Sequence, residues 1–579
     1  MFQILENLQK EQIKKIILIC GVGFFTIHSL YFITVLGVNY PYIDDWEIIE
    51  IGIAYHNNES NWYEKIFEQA SEHRPTIPRI IQTFSLFFDS FNVVNSMYLS
   101  WGLLIISIYA LYGILKRADR RLTWLIIPIA GFVFNPKQID TMVYALGSLH
   151  WVIVFVTGVV TIYFLSNPNI NKKILGLAIF ASIIGTFTAI IGLIVWIVGF
   201  FSLNPKYVKS KKFLIVWSLA TFGIILFYLL TLDSSKGNIM GLIKIETLIS
   251  EEKIVYMLNY ISNPFSVKFP FIRIFIGIFV ISGIIISSIY LKYKIRYKEA
   301  LPWIQFAGIG FLATLGTVLT RSSRSPFDTR YIVISNFLEI ALMVLISMTI
   351  LNLIKLYPNK KKILITMLMI FLISQMGLLG TGYYNGWNLA QERYDEMQTT
   401  ISCGKLPTDW KSCEALIDQG DYKWERISVL LNFVIENKLN LLSENSFNQE
   451  NSNNIKMLNY EDRKNNEKTP GLGEISLINN QEDYSISVKN NEPLIIISGW
   501  IQGENNEKIS DVFLLIDEKP FVKANLHNSD QINLLQKGSW TTSFFSGYIE
   551  EGCHNIQVIG ISIEKTIFLK DQRQICITR

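Results

Sequence analysis

Charged residues are scarce in this sequence: Asp, Glu, Lys and Arg make up 17% of the chain, whereas hydrophobic residues make up 50%. A soluble fold of this length needs a more charged surface, so the composition excludes a wholly soluble protein. The charges are sparse up to about Thr381 and dense after it. We therefore predict a membrane part followed by a soluble part. Basic residues of the membrane part lie in short loops, where topology explains them without nucleic acid as a partner.

Cysteine and histidine are also rare, with five and six residues, and none of them are clustered at the spacing of a zinc site. The sequence lacks a glycine-rich nucleotide loop as well, which disfavours a nucleotide-linked substrate. Asp44, Asp45 and Glu72 offer oxygen ligands for a divalent cation, which we keep as a minority alternative. The prediction is otherwise that the protein has no cofactor and no metal site.

What the sequence does have is long apolar runs. A membrane span needs about 20 apolar residues, and about eleven segments qualify. The run from Lys173 to Leu203 is too long for one span, so we divide it at Gly185–Thr188. The first segment is too long for a cleaved signal peptide and lacks a cleavage site, which indicates a signal anchor. The predicted spans are Ile16–Val38, Val94–Leu115, Leu122–Phe134, Leu149–Leu165, Ile174–Phe187, Ala189–Leu203, Phe213–Leu232, Phe269–Leu291, Trp303–Thr320, Ile332–Leu353 and Ile363–Tyr383.

Lysine and arginine pairs between these segments set the predicted orientation. With the spans above, every strongly basic loop falls on one side, which should be cytoplasmic. The basic groups are at the N-terminus, Lys116–Arg121, Lys172–Lys173, Lys206–Lys212, Lys292–Lys298 and Lys360–Lys362. The prediction is a multi-pass cell-membrane protein with its N-terminus inside and its C-terminal domain exoplasmic.

The loop Tyr40–Asn95 is long for a connection between spans, and loops of that length are usually functional. It carries Asp44-Asp45-Trp46 near its start and Glu72-His73-Arg74 near its middle. Apolar stretches around Trp46 and at Pro78–Phe88 predict two short helices beside the bilayer. Asp44 follows the first span closely, so its carboxylate should lie near the depth of the lipid phosphates. A carboxylate there could act as the base that takes a proton from an acceptor hydroxyl beside a sugar carried on a lipid phosphate. The alternative is that the two acids cap a helix.

With this acidic pair, the two juxtamembrane helices and the many spans, the chain resembles the GT-C superfamily of membrane glycosyltransferases, which includes protein mannosyltransferases, aminoarabinose transferases and oligosaccharyltransferases. The pattern Asp44-Asp45-Trp46 followed by Glu72-His73-Arg74 is similar to that of uncharacterised prokaryotic members. The resemblance implies that Asp44 or Asp45 is the general base. It also implies that Glu72, His73 and Arg74 shape the same pocket, although a lone histidine is more often a structural hydrogen-bond partner.

Arg321, Arg324 and Arg330 lie in a short loop assigned to the outside, where positive charge works against the predicted orientation. Arginine suits phosphate oxygens, so we interpret the three as a phosphate clamp, with headgroup snorkelling as the alternative. In the resembled family an Arg-Tyr pair at this place lines the donor site, which implies that role for Arg330-Tyr331. His150, in another predicted outer loop, is a further candidate for the cavity.

After the spans, we predict four regions: a GT-C-like transmembrane domain over 1–385, a helical segment over 386–442, an Asn-rich linker over 443–473 and a β-sandwich over 474–579. Short alternating apolar runs separated by turn residues predict the sandwich. The cysteines after the spans suggest two disulfide pairs on an oxidising face, Cys403–Cys413 and Cys553–Cys576.

These features predict an inverting glycosyltransferase that moves a sugar from a polyprenyl-phosphate donor to an exoplasmic glycan, lipid or protein acceptor. Two alternatives stay open. A transporter or flippase would need charges buried at mid-membrane and discontinuous helices in symmetric halves. A non-enzymatic scaffold would bind a surface polymer through its sandwich domain.

Overall fold

Helices dominate the computed structural model. It describes residues 2–203, 211–233, 250–293, 297–321, 325–405, 430, 433–434, 439, 468–478, 485–489, 494–502, 511–517, 519–527, 538–545, 552–561, 566–569 and 573–578. The main helices in this part are α1 (Phe2–Leu36), α2 (Trp46–His56), α3 (Glu64–Phe67), α4 (Thr76–Phe88), α5 (Val93–Ala118), α6 (Ile126–Val133), α7 (Ile139–Met142), α8 (Ala145–Leu165), α9 (Lys172–Thr186), α10 (Gly192–Gly199), α11 (Lys211–Leu230), α12 (Glu251–Ile261), α13 (Pro270–Tyr293), α14 (Tyr297–Arg321), α15 (Ile332–Leu356) and α16 (Lys361–Lys405).

Within the described residues, eight helices are long and apolar enough to cross a membrane, namely α1, α5, α8, α11, α13, α14, α15 and α16. The other three predicted spans correspond to shorter helices. Leu122–Phe134 becomes a 3-10 turn followed by the 8-residue α6, and the split run becomes α9, with 15 residues, and α10, with 8. A multi-pass helical architecture is therefore supported, whereas the count of eleven and the orientation stay predictions.

The chain separates into two compact units. The first comprises Met1–Val38, Glu59–Phe84 and Val93–Tyr394, and so contains every candidate span. The second comprises Asn39–Asn58, Ser85–Asn92 and Asp395–Arg579. The domain boundaries predicted from composition are not tested by this division, and α16 continues without a break through the predicted boundary at residue 385.

In the first unit, α5 and α8 run parallel to one another. Ser100 and Ser148, near the two helix starts, share a hydrogen bond of 3.0 Å, and Arg117 at the end of α5 donates to the carbonyl of Tyr163 near the end of α8. Two parallel helices need a connection that returns along their length. The segment from Arg120 to Val133 provides part of that return.

The predicted break in the run from Lys173 to Leu203 is confirmed, because α9 ends at Thr186 and α10 begins at Gly192. The two helices approach closely through glycine: a Cβ on Gly192 would overlap the backbone of Gly185. The indole of Trp196 donates to Thr186 Oγ1 at 2.9 Å, which satisfies a buried N–H across the same contact. The turn between these helices reappears below as one wall of the site.

Strands make up the described C-terminal part: β1 (Lys468–Ile478), β2 (Ser485–Lys489), β3 (Leu494–Gln502), β4 (Asp511–Ile516), β5 (Lys519–His527), β6 (Gly538–Phe545), β7 (Gly552–Ile561), β8 (Thr566–Leu569) and β9 (Arg573–Thr578). They pair in the order β2-β9-β7-β4-β5-β6-β3-β1-β8, and β8 also pairs with β7. Val512 and Leu514 are buried at the period of two of a strand with one buried face, and Leu515 and Ile516 are both buried beyond the register shift at Leu514/Leu515. A C-terminal sheet is therefore present, and its packing as a two-layer sandwich stays a prediction.

The predicted disulfide between Cys553 and Cys576 is confirmed, joining β7 to β9 at directly paired positions. The predicted pair Cys403–Cys413 lies outside the residues whose side chains the structure describes. Cys20 is a free, exposed cysteine in α1, as expected for a residue of the first apolar run.

Glycines seat α16 against two loops of the first unit. A Cβ on Gly386 would overlap the backbone of Pro136 and Lys137, and a Cβ on Gly382 would overlap the carbonyl of Pro264. Gly380, on the same helix, faces open space. Backbone atoms cannot yield as a side-chain tip can, so these two contacts depend on glycine.

We predict that Gly386→Ala lowers stability by about 1–3 kcal/mol through overpacking. The control Gly380→Ala should be neutral, or stabilising by up to about 1 kcal/mol, because alanine has the higher helix propensity. Thermal unfolding of both variants in detergent tests this. Equal melting temperatures for the two variants would contradict the close contact between Gly386 and the backbone of Pro136 and Lys137.

Candidate functional site

A cavity of about 260 Å³ lies in the first unit, among α8, α10, α14 and the loop that follows α3. Most of its lining is aliphatic and comes from α10 and α14, and the polar residues in the lining are Glu72, His73, Thr317, Thr320 and Tyr331. An apolar pocket with a few convergent polar groups is the usual form of a small-molecule site. The lining residues are Glu72, His73, Trp151, Ile190, Ile191, Leu193, Ile194, Ile197, Leu312, Ala313, Gly316, Thr317, Leu319, Thr320 and Tyr331.

The segment Gln69–Arg74, hereafter the EHR loop, is fastened to the end of α11. Gln69 exchanges two hydrogen bonds with the backbone of Asp233, at 2.8 and 3.0 Å. The hydroxyl of Tyr228 donates to the carbonyl of Glu72 at 2.9 Å, and the guanidinium of Arg74 donates to the carbonyl of Thr231. A tight turn fixes the loop internally, since Ala70 and His73 exchange both backbone hydrogen bonds at 2.9 Å. The loop therefore holds Glu72 and His73 in a fixed position.

The imidazole of His73 contacts both a backbone amide and a carboxylate. The N–H of Ile190 donates to its Nδ1 at 3.4 Å, and its Nε2 lies 3.4 Å from Glu72 Oε1. A ring nitrogen that accepts a hydrogen bond carries no proton, so the network assigns the neutral ring's proton to Nε2. In that tautomer the protonated ring nitrogen of His73 is the one that lies 3.4 Å from the Glu72 carboxylate.

Aromatic rings pack around His73 and the neighbouring lining residues Trp151 and Tyr331. His150 packs edge-to-face on His73 with ring centroids 5.0 Å apart, so it supports the site without lining the cavity. Trp151 contacts Tyr331 edge-to-face at 5.9 Å, and Tyr331 stacks on Tyr260 at 5.3 Å. The hydroxyl of Tyr331 is buried and has no hydrogen-bond partner among the described residues, which leaves it available to a ligand.

The arginines that the sequence predicts for the phosphate site contact other protein groups wherever their side chains are described. Arg74 bonds to a carbonyl as above and lies over the ring of Tyr228. Arg330 Nε donates to Asp328 Oδ1 at 2.8 Å and does not line the cavity. Arg321 ends α14, one residue after the lining residue Thr320, but its side chain lies outside the described set, as does all of Arg324. The phosphate clamp therefore stays a prediction, and Arg74, Arg321 and Arg330 each follow or precede a lining residue directly in the chain.

The acidic pair belongs to the second unit, in a 3-10 turn over Ile43–Asp45 that leads into α2. Asp45 is buried and accepts a hydrogen bond from the Tyr42 amide at 3.1 Å, as in the capping alternative. Asp44 is exposed. Ile43 has a φ of 48°, a left-handed conformation that is strained for a β-branched residue. The predicted role as base stays open for both acids, with Asp44 the more accessible.

A second polar cluster in the first unit joins three loops and α16. Asn135 donates to the carbonyl of Pro264 at 3.2 Å, and Lys137 Nζ donates to Asn263 Oδ1 at 2.9 Å. Asp140 accepts from Thr329 at 2.6 Å and pairs with Arg393 at 3.4 Å. These bonds leave Lys137 and Asp140 serving the architecture, and they position the turn that precedes Tyr331.

Sequence reasoning missed Glu339, which lies in the middle of the apolar helix α15. The residue is 1% exposed, and neither carboxylate oxygen has a hydrogen-bond partner among the described residues. An ionisable residue inside an apolar span is a functional candidate by default, and this lone acid within α15 was the available signal.

Comparison with protein-family models, with curated proteins and with solved structures returns no match to this chain.

Burial lowers the pKa of Lys137 from 10.5 to about 7, with the positive charge of Arg273 as a smaller cause. The folded state then binds fewer protons than the unfolded state between pH 7 and 10.5, so stability rises with pH across that window. We predict that the melting temperature of the wild type, measured relative to Lys137→Met, rises steadily from pH 7 to 10. A difference that stays flat over this range would show that Lys137 is not buried as described.

Proposed function

We propose that this protein is a multi-pass membrane transferase that moves a sugar from a polyprenyl-phosphate donor to an exoplasmic acceptor. The observation that carries the proposal is the mixed character of the cavity: aliphatic residues of α10 and α14 line it together with Glu72, His73 and Tyr331. A polyprenyl-phosphate sugar has the same two parts, an apolar chain and a polar head. The acceptor is a glycan, lipid or protein with a free hydroxyl.

Helix directions agree with the proposed topology. The parallel arrangement of α5 and α8 requires the chain to return between them, as it would if the segment around α6 crossed from the cytoplasmic face. The turn between α9 and α10 and the end of α11 both contact the EHR loop, as expected if all three lie on the exoplasmic side. In this topology the cavity-lining residues Glu72 and His73 are exoplasmic too.

The chemistry needs a base and a cation. An acceptor hydroxyl attacks the anomeric carbon, and the bond between this carbon and the phosphate oxygen breaks, so that the electron pair leaves with the lipid phosphate. A general acid is unnecessary because the leaving phosphate is a weak base. A carboxylate takes the hydroxyl proton, and the exposed Asp44 is the acid that the sequence predicted for this role. Arg321, next to the lining residue Thr320, and Arg330, next to the lining residue Tyr331, are the predicted phosphate partners adjacent to the cavity lining in sequence.

Gly316 offers a direct test, because it lines the cavity and a Cβ there would meet no atom within 4 Å. We predict that Gly316→Leu fills the cavity without disturbing the helix and raises the Kd for polyprenyl phosphate at least about tenfold, equivalent to 1.4 kcal/mol. The measurement is binding of radiolabelled polyprenyl phosphate to the full chain in nanodiscs, followed by release of polyprenyl phosphate from a labelled polyprenyl-phosphate hexose.

The matched control is Gly223→Leu, which also points into open space but lies on α11 away from the lining. It should bind and react like the wild type. Unchanged binding in Gly316→Leu would remove the lipid from this cavity. Failure of the wild type to release polyprenyl phosphate from any of a panel of hexose donors would overturn the transferase proposal itself.

Glu339 favours a second candidate function, a transporter or flippase for a lipid-linked or anionic substrate. Such proteins place an ionisable side chain inside the membrane, and a buried carboxyl without a hydrogen-bond partner among the described residues meets that requirement. The two functions differ in one respect: a transferase breaks the sugar–phosphate bond, whereas a transporter leaves it intact.

We predict that Glu339→Gln retains hexose transfer within about threefold, well short of the loss of 10²-fold or more expected for a proton-transferring group. The assay reconstitutes the variant in liposomes and measures both bond cleavage and movement of a labelled polyprenyl-phosphate hexose between leaflets. Leaflet movement that needs Glu339 and occurs without cleavage would favour the transporter.

A further inference from the structure

We propose that Glu72 is the carboxylate that takes the acceptor's proton, and that His73 is its positioning residue. This inference rests on the proposed transfer reaction and assigns its base to the first unit rather than to the acidic pair predicted from the sequence. It starts from the lining of the cavity, in which Glu72 is the acidic residue among the described neighbours.

Orientation is the first argument. A general base has to be held at hydrogen-bond distance from the proton that it removes, so a fixed carboxylate is more effective than a mobile one. Glu72 is fixed on both sides of its Cα: its carbonyl accepts from Tyr228 at 2.9 Å, and its carboxylate lies 3.4 Å from His73 Nε2. The next residues continue the anchoring through Ile190 and Thr231.

Protonation of His73 is the second argument. Its Nδ1 accepts from the Ile190 amide, so the neutral ring has no lone pair left with which to remove a further proton. In this tautomer the ring N–H is on Nε2, the nitrogen that lies 3.4 Å from Glu72 Oε1. The pair therefore works in one direction, with the carboxylate as acceptor and the imidazole as its support.

Access is the third argument. The side chain of Glu72 is 16% exposed and that of His73 is 12% exposed, so the carboxylate is neither solvated like a surface acid nor sealed off. Most of the cavity lining is aliphatic, which limits competition from water for the acceptor hydroxyl.

The proton balance is simple. The acceptor oxygen forms its bond to the anomeric carbon, the bond from that carbon to the phosphate oxygen breaks, and the acceptor proton moves to the Glu72 carboxylate. The protonated carboxyl returns its proton to solvent after the products leave. No oxidant, reductant or further reactant is needed.

The test measures release of polyprenyl phosphate from a labelled polyprenyl-phosphate hexose by the full chain in nanodiscs, with a panel of glycan, lipid and peptide hydroxyl acceptors supplied. We expect Glu72→Gln to lower kcat at least about 10²-fold while polyprenyl-phosphate binding stays within about twofold, as for loss of a general base. Glu72→Ala should recover part of its rate with added formate, which a merely structural defect would not. Glu64→Gln, an exposed glutamate of α3, is the matched control and should behave like the wild type.

His73 has its own readout. His73→Gln keeps a side-chain N–H donor and should retain more activity than His73→Leu, and both should lower kcat with little change in KM for the donor. Asp44→Asn is measured beside them. A loss of 10²-fold in Asp44→Asn together with full activity in Glu72→Gln would overturn the assignment and leave the transfer reaction standing, whereas a wild type that never cleaves the donor would overturn the proposed function.

Discussion

The site depends on one set of hydrogen bonds, those that fasten the EHR loop to the end of α11 and to the turn between α9 and α10. Backbone groups next to apolar helices cannot be left unpaired, so a loop in this position must find partners on the helix ends. Gln69, Tyr228 and Arg74 supply them. As a result, the EHR loop holds the Glu72 carboxylate and the His73 imidazole in the lining of a mostly aliphatic cavity, although the loop is neither a helix nor a named strand.

Part of this arrangement was predictable, because it follows from local patterns. Glycine and threonine in an overlong apolar run placed the break between α9 and α10, and the resemblance carried by the Glu72-His73-Arg74 pattern pointed to Glu72 and His73. The Cys553–Cys576 pair followed from an even cysteine count after the spans. In each case the signal lies in residue types and their order along the chain, so no knowledge of packing was required.

The partners of charged residues were not predictable in the same way, because they are distant in sequence. Arg74 was a candidate for phosphate, yet its guanidinium donates to Thr231, 157 residues along the chain. Lys137 Nζ donates to Asn263, 126 residues along the chain. Arg330 is the exception, since it pairs with Asp328 only two residues away. The sequence shows that a cationic side chain is present, but it does not show whether a backbone carbonyl or a carboxylate already binds that side chain. Glu339 escaped for the opposite reason, since one acid hardly changes the mean hydropathy of α15.

Charge order along the cavity constrains how a lipid-phosphate sugar would lie in the proposed complex. A phosphate and the Glu72 carboxylate repel one another, and the repulsion is strong where aliphatic walls keep the local dielectric low. The phosphate is therefore favoured near the end of α14, where Thr317 and Thr320 line the cavity and Arg321 follows. The anomeric carbon, one bond beyond the phosphate oxygen, then lies between that helix end and the EHR loop. In this order the carboxylate faces the incoming hydroxyl rather than the leaving group, which is the arrangement that an inverting transfer requires.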